Sequence, residues 1–372
     1  MAKTPPGPSA GLARWLGVAS LPCFLLAGFA FAGGWFSPHR LTPDTLIAAL
    51  QGVDGRHPGF RRNHAKGVCV AGWFEGNGAA TAYSTASFFS PHRIPVIGRF
   101  ALAGGMPYQA DAPGKVRSLA LSLREADGQE WRMGINDIPL FPVSTPADFQ
   151  ALQQALRPDP GTGKPDPVRM TAFRAAHPHF AEAGAALAAR PITSGFENDT
   201  YRSLDSFLLH DSKGAVTPMR FAMVPAAMTP ATAPVAEPIP SAPLSETGEN
   251  ALFIQLAKTL SAHPLRWRLV ITLAGPGDTI DDPSRVWSAQ DRQIEAGTLT
   301  LDKIDSEETG ACTGITFDPL VLPDGIDASN DPVLQARSAT YMRSFAERSR
   351  EPAPRPAITP AVLHQKEQEK AS

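Results

Sequence analysis

Arg337 and Tyr341, toward the C-terminal end of the chain, are four residues apart. Residues with this spacing lie on the same face of a helix, so a helix would bring the guanidinium to the phenol. A nearby positive charge lowers the pKa of a phenol and stabilises the phenolate, which is a ligand for ferric iron in proteins. The pair is therefore a candidate iron site, and the alternative is an ordinary pair of residues on a helix surface.

Two polar residues, His64 and Asn136, are candidates for contacting a small ligand. Histidine serves as a general acid or base because its ordinary pKa lies near neutrality. The amide of Asn136 can donate a hydrogen bond to a bound oxygen atom or accept one from it. Each residue has a simpler alternative: the basic neighbours of His64 are typical of a surface site, and Asn136, with Asp137 and Pro139 after it, suits a turn.

Alternating apolar residues predict a fold rich in antiparallel strands, with helices inserted between them. The predicted strands are 66–75, 82–89, 96–103, 116–125, 130–135, 203–211, 216–224 and 266–273. Helical patterns follow an N-cap at 43–45 and recur at 147–156, 168–177 and 250–260. We therefore expect an α+β fold, in which an antiparallel β-barrel core carries helical insertions.

The first 36 residues differ from the rest of the chain. Residues 1–14 carry positive charge and no acidic residue, and residues 15–36 contain no charged residue. An apolar span of this length can cross a membrane, and its positive flank favours a cytoplasmic N-terminus. The alternatives are an uncleaved anchor, a signal peptide cleaved after Ala30-Phe31-Ala32, and a buried helix. We expect export, with the chain anchored in the membrane facing the periplasm or released there by cleavage.

Composition narrows the functional classes. The formal net charge of -2 gives no basis for nucleic-acid binding. Cys69 and Cys312 are the two cysteines outside the N-terminal segment, too few for a disulfide framework or a Cys-x-x-Cys metal motif. From about residue 351 the chain has prolines and then a charged end, so we expect 351–372 to be a poorly ordered tail.

Taken in chain order, the candidate segments resemble the haem catalases over residues 37–350. The matching segments are HAKG at 64–67, WFE at 73–75, and the segments 134–141, 201–207, 283–287, 317–319 and 337–341. The short chain and its N-terminal segment are more similar to the catalase-related peroxidases than to full-length catalases. The resemblance implies a catalase-like haem domain at 37–350, with haem b and its iron as the cofactor.

The resemblance also implies a role for each candidate residue. His64 corresponds to the distal base that moves a proton between the peroxide oxygens, and Asn136 corresponds to the amide that orients the peroxide. Tyr341 corresponds to the axial iron ligand, and Arg337 to the guanidinium that keeps it a phenolate. The residues that correspond to haem contacts are Arg61, Arg99 and Arg348 at the propionates and Phe149 on the distal face.

Two positions depart from the family pattern. Ala101 stands where the family usually has a serine that orients the distal histidine, and Asn63 stands where a valine usually narrows access to the iron. We expect these changes to slow the reaction with hydrogen peroxide and to admit larger molecules. The sequence has no counterpart of the C-terminal helical region of full-length catalases, so we expect no bound nicotinamide nucleotide.

Together these observations predict a haem-dependent peroxidase that reduces hydrogen peroxide or organic peroxides, with weak catalase activity. The reductant would be a small-molecule electron donor or a second peroxide, and the chains could associate as homo-oligomers. One alternative is an enzyme that rearranges a fatty-acid hydroperoxide. The other is a membrane-tethered haem-binding or sensor protein without turnover, which would keep Tyr341 and its arginines but would not need His64.

Overall fold

The computed structural model describes residues 20, 22–33, 41–226 and 249–364. The chain forms two compact units, Met1–Thr42 and Pro43–Ser372. In the first unit, residues 22–32 are helical, and the flanks of the predicted membrane or signal segment lie outside the described residues. Within the described part of the chain, no helix combines the length and the hydropathy needed to cross a membrane.

Eight antiparallel strands of the second unit close into a barrel. They belong to a sheet whose ten strands in the described residues are β1 (Gly67–Gly76), β2 (Arg93–Leu102), β3 (Arg117–Arg124), β4 (Glu130–Asn136), β5 (Tyr201–Arg202), β6 (Phe207–His210), β7 (Val216–Pro225), β8 (Leu265–Leu273), β9 (Gln293–Asp305) and β10 (Ile326–Ala328). The ring runs from β1 through β2, β3, β4, β5, β7 and β8 to β9, which pairs with β1 again. β6 and β10 extend the sheet from β7 outside this ring. The α+β prediction with an antiparallel barrel is confirmed.

Helices pack outside the barrel. They are α1 (Pro43–Asp54), α2 (Pro146–Leu156), α3 (Pro167–Ala176), α4 (His179–Ala189), α5 (Ala251–Ala262), α6 (Pro332–Arg348) and α7 (Pro360–Leu363). Proline begins five of these described helices, because its fixed φ suits the first helical position and no hydrogen-bonded N–H is lost there. The Asp331 carboxylate caps α6 by accepting hydrogen bonds from the N–H groups of Val333 and Leu334.

Strand alternation separates the core from the outer face of the barrel. On β4, Trp131, Met133 and Ile135 are buried in the core cluster. Gly134, which lies between Met133 and Ile135, and Asn136, which follows Ile135, face outward, because successive side chains of a strand point to opposite faces. The outward positions of β2, β3 and β4 therefore form a wall outside the barrel, and the rigid apolar interior supports them.

Three regions show the main differences from the sequence prediction. Residues 82–89 form no strand: they end in a 3₁₀ turn, Ser87–Phe89, whose Phe88 and Phe89 rings contact Trp131 edge-on inside the core.

The second region is β9, which the sequence prediction missed. Its pairing skips Ala296 and Asp302, and each extra residue breaks the two-residue alternation.

The C-terminal segment is the third region. Residues 351–364, predicted to be poorly ordered, lie against the barrel unit, and residues 365–372 lie outside the described residues. Ile358 is fully buried, and its carbonyl accepts a hydrogen bond from the buried Ser306 hydroxyl. The buried Ile358 side chain and its backbone hydrogen bond therefore attach this segment to the barrel. Its prolines and charged residues alone did not predict this attachment.

Candidate active site

A cleft between the outer wall of the barrel and α1, α2 and α6 encloses about 1350 Å³ of space that no protein atom fills, part of it open to solvent. Its lining includes all eight residues that the sequence singled out: Arg61, His64, Arg99, Asn136, Phe149, Arg337, Tyr341 and Arg348. Residues that are up to 287 positions apart in the sequence thus meet at one site. The fold brings the predicted site residues together.

The wall of the cleft contains one row of paired residues. Gly67 on β1 pairs with Ala101 on β2, Ala101 pairs with Ser118 on β3, and Ser118 pairs with Asn136 on β4. Side chains directly opposite each other on neighbouring strands lie about 5 Å apart at their Cβ atoms. The row therefore places Ser118 beside Asn136. His64 precedes Gly67, the first residue of the row, by three positions.

His64 is held by hydrogen bonds to its backbone and to its ring. Its φ of 55° lies in the left-handed region, which non-glycine residues rarely adopt. The Arg99 guanidinium donates to the His64 carbonyl at 2.8 Å, and the Asn63 amide oxygen accepts from the His64 N–H at 2.9 Å. On the ring, Nδ1 lies 3.0 Å from the Ser118 hydroxyl, which also hydrogen-bonds Asn136 Oδ1.

The contacts of Asn63 and Arg99 refine two of the predictions. Asn63 uses its side-chain oxygen on the N–H groups of His64 and Gly104, so this oxygen is tied to the loop backbone. Arg99 forms a two-point salt bridge with Glu307 and also donates to the carbonyls of His64 and Ala65. Arg99 therefore positions the His64 segment, in addition to contributing positive charge to the cleft.

Gly67 is required for this arrangement. A Cβ atom at this position would lie 2.4 Å from the Arg99 guanidinium carbon, far inside van der Waals contact. Gly67 thus leaves space for the Arg99 guanidinium to donate to the carbonyls of His64 and Ala65, which precede β1.

The electrostatic environment keeps the His64 ring neutral. Burial, together with the positive charges of Arg99, Arg337 and Arg61, lowers the pKa of His64 to about 3. Burial disfavours the charged imidazolium, and each nearby guanidinium disfavours it further. At neutral pH the ring is therefore a proton acceptor.

Tyr341 lies on α6, and Arg337 lies one turn before it. The Arg337 guanidinium is 3.4 Å from the phenol oxygen, donates to the Gly134 carbonyl at 2.6 Å and forms a salt bridge with Asp205. The charges of Tyr341 and Asp205 raise the pKa of Arg337 above its ordinary value despite burial, so the guanidinium stays charged. A side chain on Gly134 would crowd it, since a Cβ there would lie 2.9 Å from Arg337 Nη2.

Positive charge is concentrated at one end of the cleft. Arg61 donates to the carbonyls of Cys312 and Ile315, and Arg348 donates to those of Thr313 and Ile315. Burial and the charges of Arg99 and Arg348 lower the pKa of Arg61 well below its ordinary value. The buried Nε atom of Arg61 has no hydrogen-bond partner within the described structure. This end of the cleft is therefore suited to an anionic group.

A disulfide joins the barrel to the loop that supports these arginines. Cys69 on β1 and Cys312 are bonded to each other, with their Cα atoms 5.4 Å apart. The number of cysteines excludes a framework of several disulfides and is compatible with this single bond. The bond links residues separated by 243 positions. Its effect is to fix the carbonyls around Cys312 that hold Arg61.

Three residues of the site were missed by the sequence reasoning: Ser118, Asp205 and Glu307. Ser118 was hidden because the strand register, rather than its sequence position, places it opposite Ala101. Asp205 lies within the segment 201–207, which resembles the haem catalases, but the sequence analysis gave no role to any residue of this segment. Glu307 precedes Cys312 by five residues in a loop with no periodic pattern, so no signal was available for it.

On the apolar side of the cleft, Phe149 of α2 is in contact with Phe141, their ring centroids being 5.5 Å apart. Leu46 and Leu50 of α1 line the same region. The cleft therefore has apolar lining at Phe149, Leu46 and Leu50 and a cationic end near Arg61, which suits a largely apolar ligand that carries carboxylates.

Comparison with known proteins agrees with this geometry. The catalase family model matches residues 38–351. A catalase-related peroxidase of Synechococcus elongatus is 36% identical over 91% of this chain and 97% of its own length. A catalase-related peroxidase of Mycolicibacterium paratuberculosis is 31% identical over 83% of this chain and 95% of its own length.

Solved structures share the fold. A bacterial catalase aligns with a TM-score of 0.64 at 17% identity, covering 86% of this chain and 65% of its own. A fungal catalase aligns with a TM-score of 0.66 at 16% identity, covering 86% of this chain and 63% of its own.

Proposed function

Because the chain belongs to the catalase family, which makes it a peroxide-acting oxidoreductase, we propose that it is a haem-dependent peroxidase. Its substrates are hydrogen peroxide and organic peroxides, and dismutation of hydrogen peroxide is a weaker activity. The observation that carries the proposal is that a neutral His64 and the Tyr341–Arg337 pair line the same cleft.

The residues of the cleft fit a haem. Arg61 and Arg348 form the cationic end that its carboxylates require, and Arg61 Nε is a donor that no group in the described residues uses. Tyr341 offers a phenol oxygen next to a guanidinium, the arrangement that favours a phenolate ligand, and tyrosine is the known haem ligand of catalases. We propose haem b, since the described cleft residues suggest no covalent attachment.

When bound, haem would supply the iron at which the peroxide O–O bond is cleaved, and it would store the oxidising equivalents of the peroxide until a reductant consumes them. His64 accepts the proton of one peroxide oxygen and returns it to the other, so that the leaving group departs as water or alcohol. Asn136 orients the peroxide by a hydrogen bond from its amide N–H groups. Arg337, charged and fixed by Asp205, places its guanidinium beside the Tyr341 oxygen.

The apolar side of the cleft supports organic peroxides as substrates. Leu46, Leu50 and Phe149 offer an apolar surface to an alkyl group. The Asn63 oxygen, which would otherwise be a polar obstacle, is bonded to backbone N–H groups. We expect a small-molecule electron donor, and association into homo-oligomers stays a prediction.

The disulfide supports export of the chain. Disulfides persist mainly in oxidising compartments such as the periplasm. We propose that the catalytic unit works there, anchored by the N-terminal segment or released from it. N-terminal sequencing of the protein recovered from the periplasmic fraction tests this: a sequence that begins at Gly33 indicates cleavage, and a reduced, cytoplasmic protein would contradict export.

The catalytic proposal is tested with the purified protein loaded with haemin. We expect donor oxidation with both hydrogen peroxide and cumene hydroperoxide, and little oxygen release without a donor. A loaded protein that consumes neither peroxide would refute the proposal. Conversion of a fatty-acid hydroperoxide to an isomer without oxidation of the donor would instead favour the rearrangement enzyme.

A further inference from the structure

Ser118 is the side chain that joins His64 to Asn136. Its hydroxyl lies 3.0 Å from His64 Nδ1 and hydrogen-bonds Asn136 Oδ1, and all three residues line the cleft. Ser118 is 7% exposed, so water competes little for these bonds. Within the described structure, it is the one side chain in hydrogen-bond contact with the His64 ring.

The number of protons on these groups fixes the direction of the two bonds. A serine hydroxyl has one proton to donate, and a carboxamide oxygen can only accept. Ser118 therefore donates to Asn136 Oδ1 and must accept from His64, which places the imidazole proton on Nδ1. Nε2 is then free of a proton, and the N–H groups of Asn136 are left available to a ligand.

We propose that Ser118 is a positioning residue that sets the His64 tautomer and the Asn136 amide orientation with one hydroxyl, making His64 Nε2 the base. The inference rests on the proposed peroxidase function and deepens it. Ser118 takes this place because the strand register puts it between Ala101, which has no polar group, and Asn136. Without the hydroxyl, the ring could carry its proton on either nitrogen, and the amide could rotate.

The test compares haem-loaded variants by two measurements. The first is kcat/KM for hydrogen peroxide, and the second is the association rate of cyanide, followed by absorption without turnover. Hydrogen cyanide also gives up a proton on binding, so it reports on the distal base independently of the reductant. For Ser118→Ala we expect both values to fall about tenfold, less than the hundredfold or more that loss of the acid–base group itself costs, because His64 remains in place. The absorption spectrum in the absence of peroxide should not change.

Ser118→Thr retains a hydroxyl and should stay within about threefold of the parent. The double variant Ala101→Ser/Ser118→Ala moves the hydroxyl to the paired position across the β2–β3 ladder and should recover part of both rates. Ser122→Ala is the matched control, because Ser122 is on the same strand, is buried and bonds Glu130 away from the cleft.

Parent-like rates in Ser118→Ala would overturn the inference. So would equal losses in Ser118→Ala and Ser118→Thr, because a role that depends on the volume of the side chain, rather than on its hydroxyl, would then explain the data. A parent protein that takes up no haem, or that turns over no peroxide, would refute the proposed function itself. The two failures are therefore distinguishable.

Discussion

The side chains linked to the His64 ring by hydrogen bonds are neutral and are placed by strand pairing, whereas those around Tyr341 are charged and are placed around one helix; we call these two parts of the cleft the neutral wall and the charged wall. On the first, Ser118 and Asn136 occupy one row of the barrel, and burial keeps His64 uncharged. On the second, Arg337 carries full charge between Asp205 and Tyr341. In the proposed mechanism this difference separates two tasks, since proton transfer needs a neutral base and an anionic ligand needs a fixed cation.

The largest expected effect is on the neutral wall. His64→Ala should lower kcat/KM for hydrogen peroxide by about a hundredfold to ten-thousandfold, the usual range for loss of a general base. The absorption spectrum of the loaded protein should remain, because Tyr341 and Arg337 are untouched. Steady-state kinetics with a common electron donor, together with the spectrum, check both expectations.

His57→Ala is the matched control for this variant. His57 precedes the same strand and bonds the Asp54 carbonyl, outside the cleft. If His64→Ala worked as fast as His57→Ala, the neutral wall would have no role in proton transfer, and the non-catalytic haem-binding alternative would regain support.

On the charged wall we expect a smaller kinetic effect and a spectral change. Arg337→Gln should lower kcat/KM by about ten- to a hundredfold, the usual cost of removing a group that supports a metal ligand. The absorption spectrum should shift as well, because the Tyr341 oxygen loses the guanidinium beside it. Kinetics and spectra of the loaded variant measure the two effects.

The variant also leaves Asp205 buried without a partner, which lowers stability. The double variant Asp205→Asn/Arg337→Gln should recover thermal stability but not activity. Arg343→Gln is the control on the same helix, where the guanidinium pairs with the exposed Asp44. Full recovery of activity in the double variant would contradict a role for the Arg337 charge.

The smallest expected effect concerns the pH dependence of stability at Asp331, the N-cap of α6 and a neighbour of Asp205 on the charged wall. Burial and the neighbouring Asp205 carboxylate raise the pKa of Asp331 to about 7. In the unfolded chain the carboxyl has its ordinary pKa, so between about pH 4 and 7 the unfolded state has lost a proton that the folded state keeps. Rising pH through this window therefore lowers the free energy of unfolding.

Asp331→Asn removes this titration and can still accept the N–H bonds that begin α6. Relative to the parent, its free energy of unfolding should increase by about 1 kcal/mol or more from pH 4 to pH 7. Urea unfolding at several pH values measures this, with Asp166→Asn at the cap of the exposed helix α3 as the control. A difference that is constant across the window would contradict the raised pKa.

The sequence predicted the charged wall better than the neutral one. Arg337 and Tyr341 are separated by one helical turn, so their spacing alone predicted their contact. Ser118 touches His64 across 54 positions through the register of β3, which no local pattern encodes. The absence of a serine at Ala101 was correctly noted, but the expected loss of a partner for His64 is wrong, because the paired strand supplies another hydroxyl.

Closure of the barrel also depends on contacts between distant strands that local sequence patterns do not encode. Strands with regular alternation, such as β3 and β4, were predicted near their observed bounds. β9 was not, although it closes the ring, because its two bulges break the alternation that the prediction depends on. Features set by pairing between distant segments, including the Cys69–Cys312 bond, became visible only in the fold.

The proposed function depends on the phenol of Tyr341, next to Arg337, holding the iron of a haem bound in the cleft. The absorption spectrum of the haemin-loaded protein, compared with those of Tyr341→Phe and His64→Ala, tests it directly. We predict a high-spin ferric spectrum in the parent that is lost in Tyr341→Phe and kept in His64→Ala. A Tyr341→Phe spectrum identical to that of the parent, or a parent protein that takes up no haemin, would contradict the claim.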